Sequence, residues 1–265
     1  MTTAPGPNAS HGASNQRMDI SVITLNADMG EALGIHSFGN DHALLPLVDT
    51  VNVACGFHSG DPSTMRQTIE AASEHGVTVG AHPGLPDLVG FGRREMKLNQ
   101  SEVRDLVLYQ VGSLVGFLEA AGGSLSHIKP HGALYGMLAR DEELMDAVCD
   151  VALQYDVPVF GLPGTAHERT AARRDVAFVA EFFADLGYGD DGIVVVERHG
   201  KQRTPAELAD RLRTALTRGS VTTITGKELP VRVDSVCIHS DLPAAESNAR
   251  IARDVINEHP QAQPE

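Results

Sequence analysis

The stretch TVNVACGFHSGDP, residues 50–62, shows how this chain is put together. Thr50–Cys55 is a short β-rich run. Glycines then carry the chain past Cys55 and His58. Asp61 followed by Pro62 is a helix N-cap with proline at the first helical position, and it predicts a helix through Met65–His75. A strand that ends in polar groups and leads straight into a helix is the βα unit of a parallel sheet.

The same unit recurs on either side. Further β-rich runs are Ser21–Asn26, Val77–His82, His127–Lys129, Val157–Leu162, Ala177–Glu181 and Ser235–His239. Several are nearly continuous apolar stretches, as strands buried on both faces should be. Helix signals fall between them. Asn99 with Glu102 opens an amphipathic stretch to Ala121, where Gly122 supplies the stop. Thr165 with Glu168, and Thr204 before Pro205 with Glu207, are two more capping-box patterns; helices are also predicted over Glu142–Tyr155 and Ala244–Glu258. Asp190, Asp191 and Gly192 read as a hairpin turn into an extra strand, Ile193–Val196.

Seven βα units predict an α/β fold, a closed or nearly closed parallel barrel, with an open doubly wound sheet as the alternative. The 265 residues match the ~250 typical of α/β barrels. A single domain is expected over residues 18–265, after a small, polar, disordered leader at 1–17. Thirty-five acidic against 21 basic residues give a net charge of −14, with no basic tract to follow phosphates. Nucleic acid and anionic membrane surfaces are therefore excluded as partners. No apolar run approaches the ~20 residues that a bilayer span needs. Cys55, Cys149 and Cys237 form no CxxC pair, which argues against a disulfide framework and for a reducing, cytoplasmic setting.

In a parallel barrel, reactive groups collect at the C-terminal ends of the strands. There the first run delivers Asn26, Asp28 and Glu31, and the second Cys55 and His58. The third ends in His82, the fourth in Lys129 and His131, the sixth in Glu181 and Asp185, the last in His239 and Asp241. A buried, unpartnered charge costs roughly several kcal/mol, so these ends predict one shared polar pocket. Each residue alone has a plainer reading. A strand-end histidine is commonly a hydrogen-bonded structural residue, Asp28 a cap, Glu31 a partner of Lys129, and Cys55 a small buried hydrophobe. Together they suit proton transfer or metal-assisted hydrolysis. Arg93 and Arg94 suit either a substrate carboxylate or a rim salt bridge.

Two nucleotide-loop look-alikes fail. GYGDDG (187–192) leads into a strand rather than a helix, and Gly219 to Lys227 has the wrong glycine spacing, with Glu228 where Ser or Thr must bind magnesium. No G-x-S-x-G elbow supports a serine hydrolase.

The strings LNADMGEALG (25–34), NVACGFHSGDP (52–62), VGAHPGLPDLVGFGRREM (79–96), IKPHGALY (128–135) and EFFAD (181–185) resemble the LamB/YcsF family. The chain departs from the family pattern at Leu186, across 197–201 and at Ser240. The resemblance implies a (β/α)7-type barrel of the glycoside hydrolase/deacetylase kind. It implies the A subunit of a 5-oxoprolinase, which opens 5-oxo-L-proline or a related small lactam to L-glutamate using ATP, with partner subunits B and C. On this reading Asp28 or Glu31 is the base or a metal ligand, while His58, His82 and His131 surround the attacked carbon. Lys129 faces the oxyanion, and Arg93 or Arg94 holds the substrate carboxylate. Asn26, Glu181, His239 and Asp241 complete the substrate site. A divalent metal, if used, has Asp28, His58 and His82 as candidate ligands. Two alternatives stay open: a stand-alone metal-dependent amidohydrolase or deacetylase, and a non-catalytic component that only binds substrate. Lys129→Met is expected to abolish most turnover while weakening the fold only modestly.

Overall fold

The computed structural model describes residues 22–36, 39–195, 203–241 and 244–259. The expected leader lies outside them, as do the departures at 197–201. Six parallel strands come first: β1 (Thr24–Met29), β2 (Thr50–Ala54), β3 (Thr78–His82), β4 (Leu125–Ile128), β5 (Val159–Gly161) and β6 (Phe178–Phe183). Two small antiparallel hairpins follow, β7 (Gly187–Tyr188) with β8 (Val194–Val195), and β9 (Ser220–Thr222) with β10 (Glu228–Pro230). The last strand, β11 (Ser235–Ile238), inserts between β1 and β6. The order β1-β11-β6-β5-β4-β3-β2 closes because β2 returns to pair with β1. The fold is a closed seven-stranded parallel barrel, and the open-sheet alternative falls.

Helices wrap it: α1 (Asp41–Leu44), extended by a 3₁₀ turn over Leu45–Leu47, α2 (Pro62–Glu74), α3 (Gln100–Ala120), α4 (Gly132–Arg140), α5 (Glu142–Tyr155), α6 (Ala166–Arg173), α7 (Pro205–Arg218) and α8 (Ala245–Glu258). Their starts follow the caps. The Asp61 carboxylate accepts from the Ser63 and Thr64 amides, and Asn99/Glu102 and Thr204/Glu207 form reciprocal capping boxes. Thr165 caps the His167 amide, but Glu168 reaches back to Gly164 instead, so that box is incomplete. Helix α4 was not expected. Its N-cap, His131, makes no side-chain capping bond, so no local signal announces it. The false phosphate loop at Gly219 to Lys227 belongs to the β9–β10 hairpin. Among the described residues no helix is long and apolar enough to cross a membrane.

Register decides which side chains meet inside. Asp28 lies opposite Asn52, Ala54 opposite His82, Ser235 opposite Glu181, and Asn26 opposite Cys237. Paired residues in neighbouring strands face the same way, so these side chains turn into the barrel. Leu25, Ala27, Val51, Val53, Val236 and Ile238 turn out against the helices and are fully buried there.

Candidate active site

Lys129 stands at the centre, just past the end of β4, and is only 2% exposed. Its Nζ lies 2.6 Å from Asp28 Oδ1 at β1, 3.0 Å from Glu181 Oε1 on β6 and 3.1 Å from Cys237 Sγ on β11. Asp28 Oδ1 and Cys237 Sγ accept N–H bonds from the ammonium, while Glu181 Oε1 is an ion-pair partner without hydrogen-bond geometry. Burial opposes the charge on Lys129, but Asp28, Cys237 and Glu181 outweigh it and lift its pKa well above the ordinary value. Asp28 is the mirror case. Burial would raise its carboxyl, yet the charges of His82 and Lys129 hold it well below the usual carboxylate range. The second carboxylate on Lys129 is Glu181, where the sequence had suggested Glu31. Tyr135 of α4 donates its hydroxyl to Glu181 Oε2 at 3.0 Å, and burial with Glu181 pushes that phenol's pKa up.

Beneath Asp28 the barrel is filled by polar side chains. Asn52 Nδ2 donates to Asp28 Oδ1 and to Asn26 Oδ1, both at 2.8 Å. Its own Oδ1 accepts from His127 Nε2 at 2.6 Å, and Asn26 donates to Ser235 Oγ. Burial brings the His127 pKa down to about 3, so the ring is neutral. Asn26 therefore supports the floor from below and is fully buried. Asn52 and His127 were missed as site residues. Their signal was available, a polar side chain at an inward strand position.

A second cluster adjoins the first. His82 Nε2 is 3.3 Å from Asp28 Oδ2 and 3.0 Å from His131 Nδ1. The rings of His58 and His131 stack at 3.7 Å, and His58 Nε2 stands 3.6 Å from Glu31 Oε1. Burial drives the pKa of His58 and His131 well below the ordinary histidine value, aided by neighbouring histidines. Burial, with Asp28 next to it, pushes Glu31 well above the carboxylate range. Glu31, His58, His82 and His131 form a buried group that could hold a metal ion. The set anticipated from sequence was Asp28, His58 and His82. Asp28 falls instead in a second such group, with Cys237 and His239.

A cavity opens above both clusters at the C-terminal end of the barrel. Asp28, Glu31, His82, Lys129 and His131 reach it, with Arg93, His239 and Asp241 at its sides. Phe183, Leu186, Ile193 and Val194 supply an apolar wall. His58 and Glu181 sit one layer behind and do not line it, contrary to a single shared lining. Arg93 is about one-third exposed, bonds Asp241 Oδ2 at 2.9 Å and packs over the Phe91 ring. Arg94 faces elsewhere: its guanidinium grips Asp87, with Nε 2.8 Å from Oδ2, and it is absent from the cavity lining. His239 Nδ1 pairs with Asp185 at 3.1 Å; burial opposes its charge, but Asp185 wins and raises its pKa. Leu186 and Ser240 both line the cavity. Cys55 is buried with its thiol pushed up to about 12, which makes it an inert packing residue.

Residues 23–264 match the LamB/YcsF family. The chain belongs to that family. Among LamB/YcsF relatives, the lactam utilization protein lamB of Emericella nidulans is 44% identical over 238 residues, covering 88% of this chain and 94% of that protein. The 5-oxoprolinase A subunit of Bacillus cereus (strain 03BB102) is 43% identical over 228 residues, covering 84% and 90%. The crystal structure of the lactam utilization protein from Thermus thermophilus superposes with a TM-score of 0.82 at 41% identity, covering 89% of this chain and 96% of that one.

Proposed function

We propose that this chain is the hydrolytic A subunit of an ATP-dependent 5-oxoprolinase, opening the lactam of 5-oxo-L-proline to L-glutamate with partner subunits B and C. One observation carries the reading on a chain so similar to a 5-oxoprolinase A subunit. It is Lys129, held between Asp28 and Glu181 at the floor of a cavity that has Arg93 at its mouth.

The cavity suits a small anionic ring. Arg93 takes the substrate carboxylate, exchanging part of its bond to Asp241. The wall of Phe183, Leu186, Ile193 and Val194 receives the ring methylenes, and the lactam carbonyl faces Lys129. With two of its N–H groups engaged by Asp28 and Cys237, Lys129 acts on that carbonyl chiefly as a nearby positive charge, in a setting where charge is little screened. A lactam is a stable amide, and phosphorylation of its oxygen by ATP, used by the assembled complex, makes its carbon a stronger electrophile. Asp28, held ionised by Lys129 and His82, is a weak base. A weak base suffices for an activated carbon. It takes the proton of the attacking water, the ring C–N bond of the tetrahedral adduct breaks with a proton to nitrogen, and a second water cleaves the resulting acyl phosphate to glutamate and phosphate.

The test is glutamate release from 5-oxoproline by the purified chain, with and without subunits B and C and ATP. Turnover should need all of them. Robust turnover by the chain alone, without ATP, would establish the stand-alone hydrolase instead. Within the complex, Arg93→Ala should raise KM more than it lowers kcat, since the guanidinium holds the substrate away from the reacting carbon.

A further inference from the structure

His82 and His131 face each other in a way that neutral rings alone do not satisfy. His82 donates its Nδ1–H to the Lys129 carbonyl at 2.7 Å, and His131 donates its Nε2–H to the Phe91 carbonyl at 2.8 Å. If both rings were neutral, two lone pairs, on His82 Nε2 and His131 Nδ1, would be aimed at each other across 3.0 Å, with Asp28 Oδ2 also 3.3 Å from His82 Nε2. Something positive must lie between or beside them, either a proton or a metal ion. A backbone carbonyl behind each ring is also how metal-binding histidines are oriented. Phe91 presents its carbonyl from a left-handed conformation, φ +54°, that a bulky residue seldom adopts.

We propose that Glu31, His58, His82 and His131 bind one borderline first-row divalent cation of the zinc type. His58 supplies the second, independent observation. It is 1% exposed, neither of its ring nitrogens has a hydrogen-bond partner, and Nε2 points to Glu31. Buried polar atoms are rarely left so. The spacing fits as well. The four ligand atoms lie within 4.8 Å of one another, with pairs at 3.0, 3.6 and 4.0 Å. A tetrahedral ion at ~2.0–2.1 Å from its ligands needs edges of about 3.3 Å, so the distances need shifts below an ångström, and the His58 ring must also turn off its stack on His131 so that both rings aim at one ion. Charge points the same way. The single charge of Lys129 faces both Asp28 and Glu181, so with Glu31 three buried carboxylates share one ammonium, an excess that a dication beside Glu31 would balance. Three imidazole nitrogens and one carboxylate oxygen favour zinc, cobalt or nickel over magnesium or calcium. Gly84 and Gly92 keep the space. A Cβ at Gly84 would stand 2.4 Å from His58 Nδ1, and one at Gly92 2.7 Å from His58 Cβ.

The site stands apart from the lactam reading, and its test needs neither lactam, partner nor ATP. The full chain, stripped with a chelator, is titrated with Co2+ while its visible ligand-field bands are followed, and Zn2+ is then added in competition. One ion per chain with tetrahedral-type bands is expected. Glu31→Gln and His58→Gln, each checked for its fold by circular dichroism, should each weaken binding by about 100-fold or more. His75→Asn, which removes an exposed histidine, should leave binding unchanged. No saturable binding, or unchanged wild-type affinity in both cluster variants, overturns the proposal and assigns a proton to the gap between His82 and His131. If one variant fails to fold, the other decides.

Discussion

The seven barrel strands carry two opposite chemistries on their two faces. Outward, Leu25, Val51, Val53, Val236 and Ile238 pack against helices through apolar area alone. Inward, Asn26, Asp28, Asn52, His127, Lys129 and Glu181 meet through directed hydrogen bonds and ion pairs, where barrels of this class usually hold branched aliphatic side chains. The outer shell draws on a non-directional force, roughly proportional to buried area, and tolerates exchange of similar volumes. The inner face draws on groups that are costly when left unpaired. It therefore specifies one arrangement, and small changes there should be felt out of proportion to their size. The difference shows where the protein keeps its stability and where it keeps its chemistry.

Lys129→Met should break the inner arrangement most severely. It strands Asp28 and Glu181 together in the interior, and losing one partner of a buried ion pair costs about 3–5 kcal/mol. That is heavier than the modest weakening expected from the sequence, because a second buried carboxylate rests on this ammonium. Urea unfolding measures it, and adding Asp28→Asn with Glu181→Gln should restore much of the loss. A loss under about 1 kcal/mol would mean that the network carries little. Leu114→Ala tests the outer shell, where a cavity at this fully buried α3 position should cost about 3 kcal/mol in the same assay. It should leave the KM for the lactam unchanged, whereas an equal effect on KM would blur the division between the faces. Asn52→Ala removes no charge but leaves His127, Asn26 and Asp28 each short of a partner, at about 1–3 kcal/mol.

The smallest effect should depend on pH. Asp185 raises the pKa of His239, so their pairing stabilises the fold fully below the unfolded histidine value of about 6.5. That contribution fades as pH climbs through the raised folded value. Asp185→Asn should therefore lower Tm more at about pH 6 than at about pH 9. Equal losses at both would show that the contact is neutral.

Much of the outer architecture was legible in the sequence. Each of the seven barrel strands overlaps its expected run, and helices starting after Asp61, Asn99 and Thr204 follow their caps within a residue or two. Those are local signals, written in neighbouring residues. The inner face was legible in kind, since strand ends carry Asp28, His82, Lys129 and His239. It was not legible in its pairings. That Lys129 chooses Glu181 over Glu31 depends on barrel order, which places β6 beside β11 and leaves Glu31 turned toward His58. That Arg94 turns to Asp87 depends on the path of the loop after β3. Helix α4 escaped because its sequence, GALYGMLAR, opens on glycine and has no capping side chain before it.

The polar column below Asp28 has a direction. A carboxylate can only accept, so the Asn52 amide must present its NH2 group to Asp28 and its oxygen to His127. His127 must then carry its proton on Nε2 and accept from the Ser126 hydroxyl on Nδ1, 2.7 Å away. Every donor along this line points toward the same oxygen of Asp28, like dipoles queued head to tail. Reversing one amide would oblige its neighbours to reverse as well. The ionisation of one carboxylate at the mouth of the barrel thus latches the orientation of side chains down to Ser126 on β4, and a change of charge there would be felt at the barrel's opposite end as a rotation rather than a displacement.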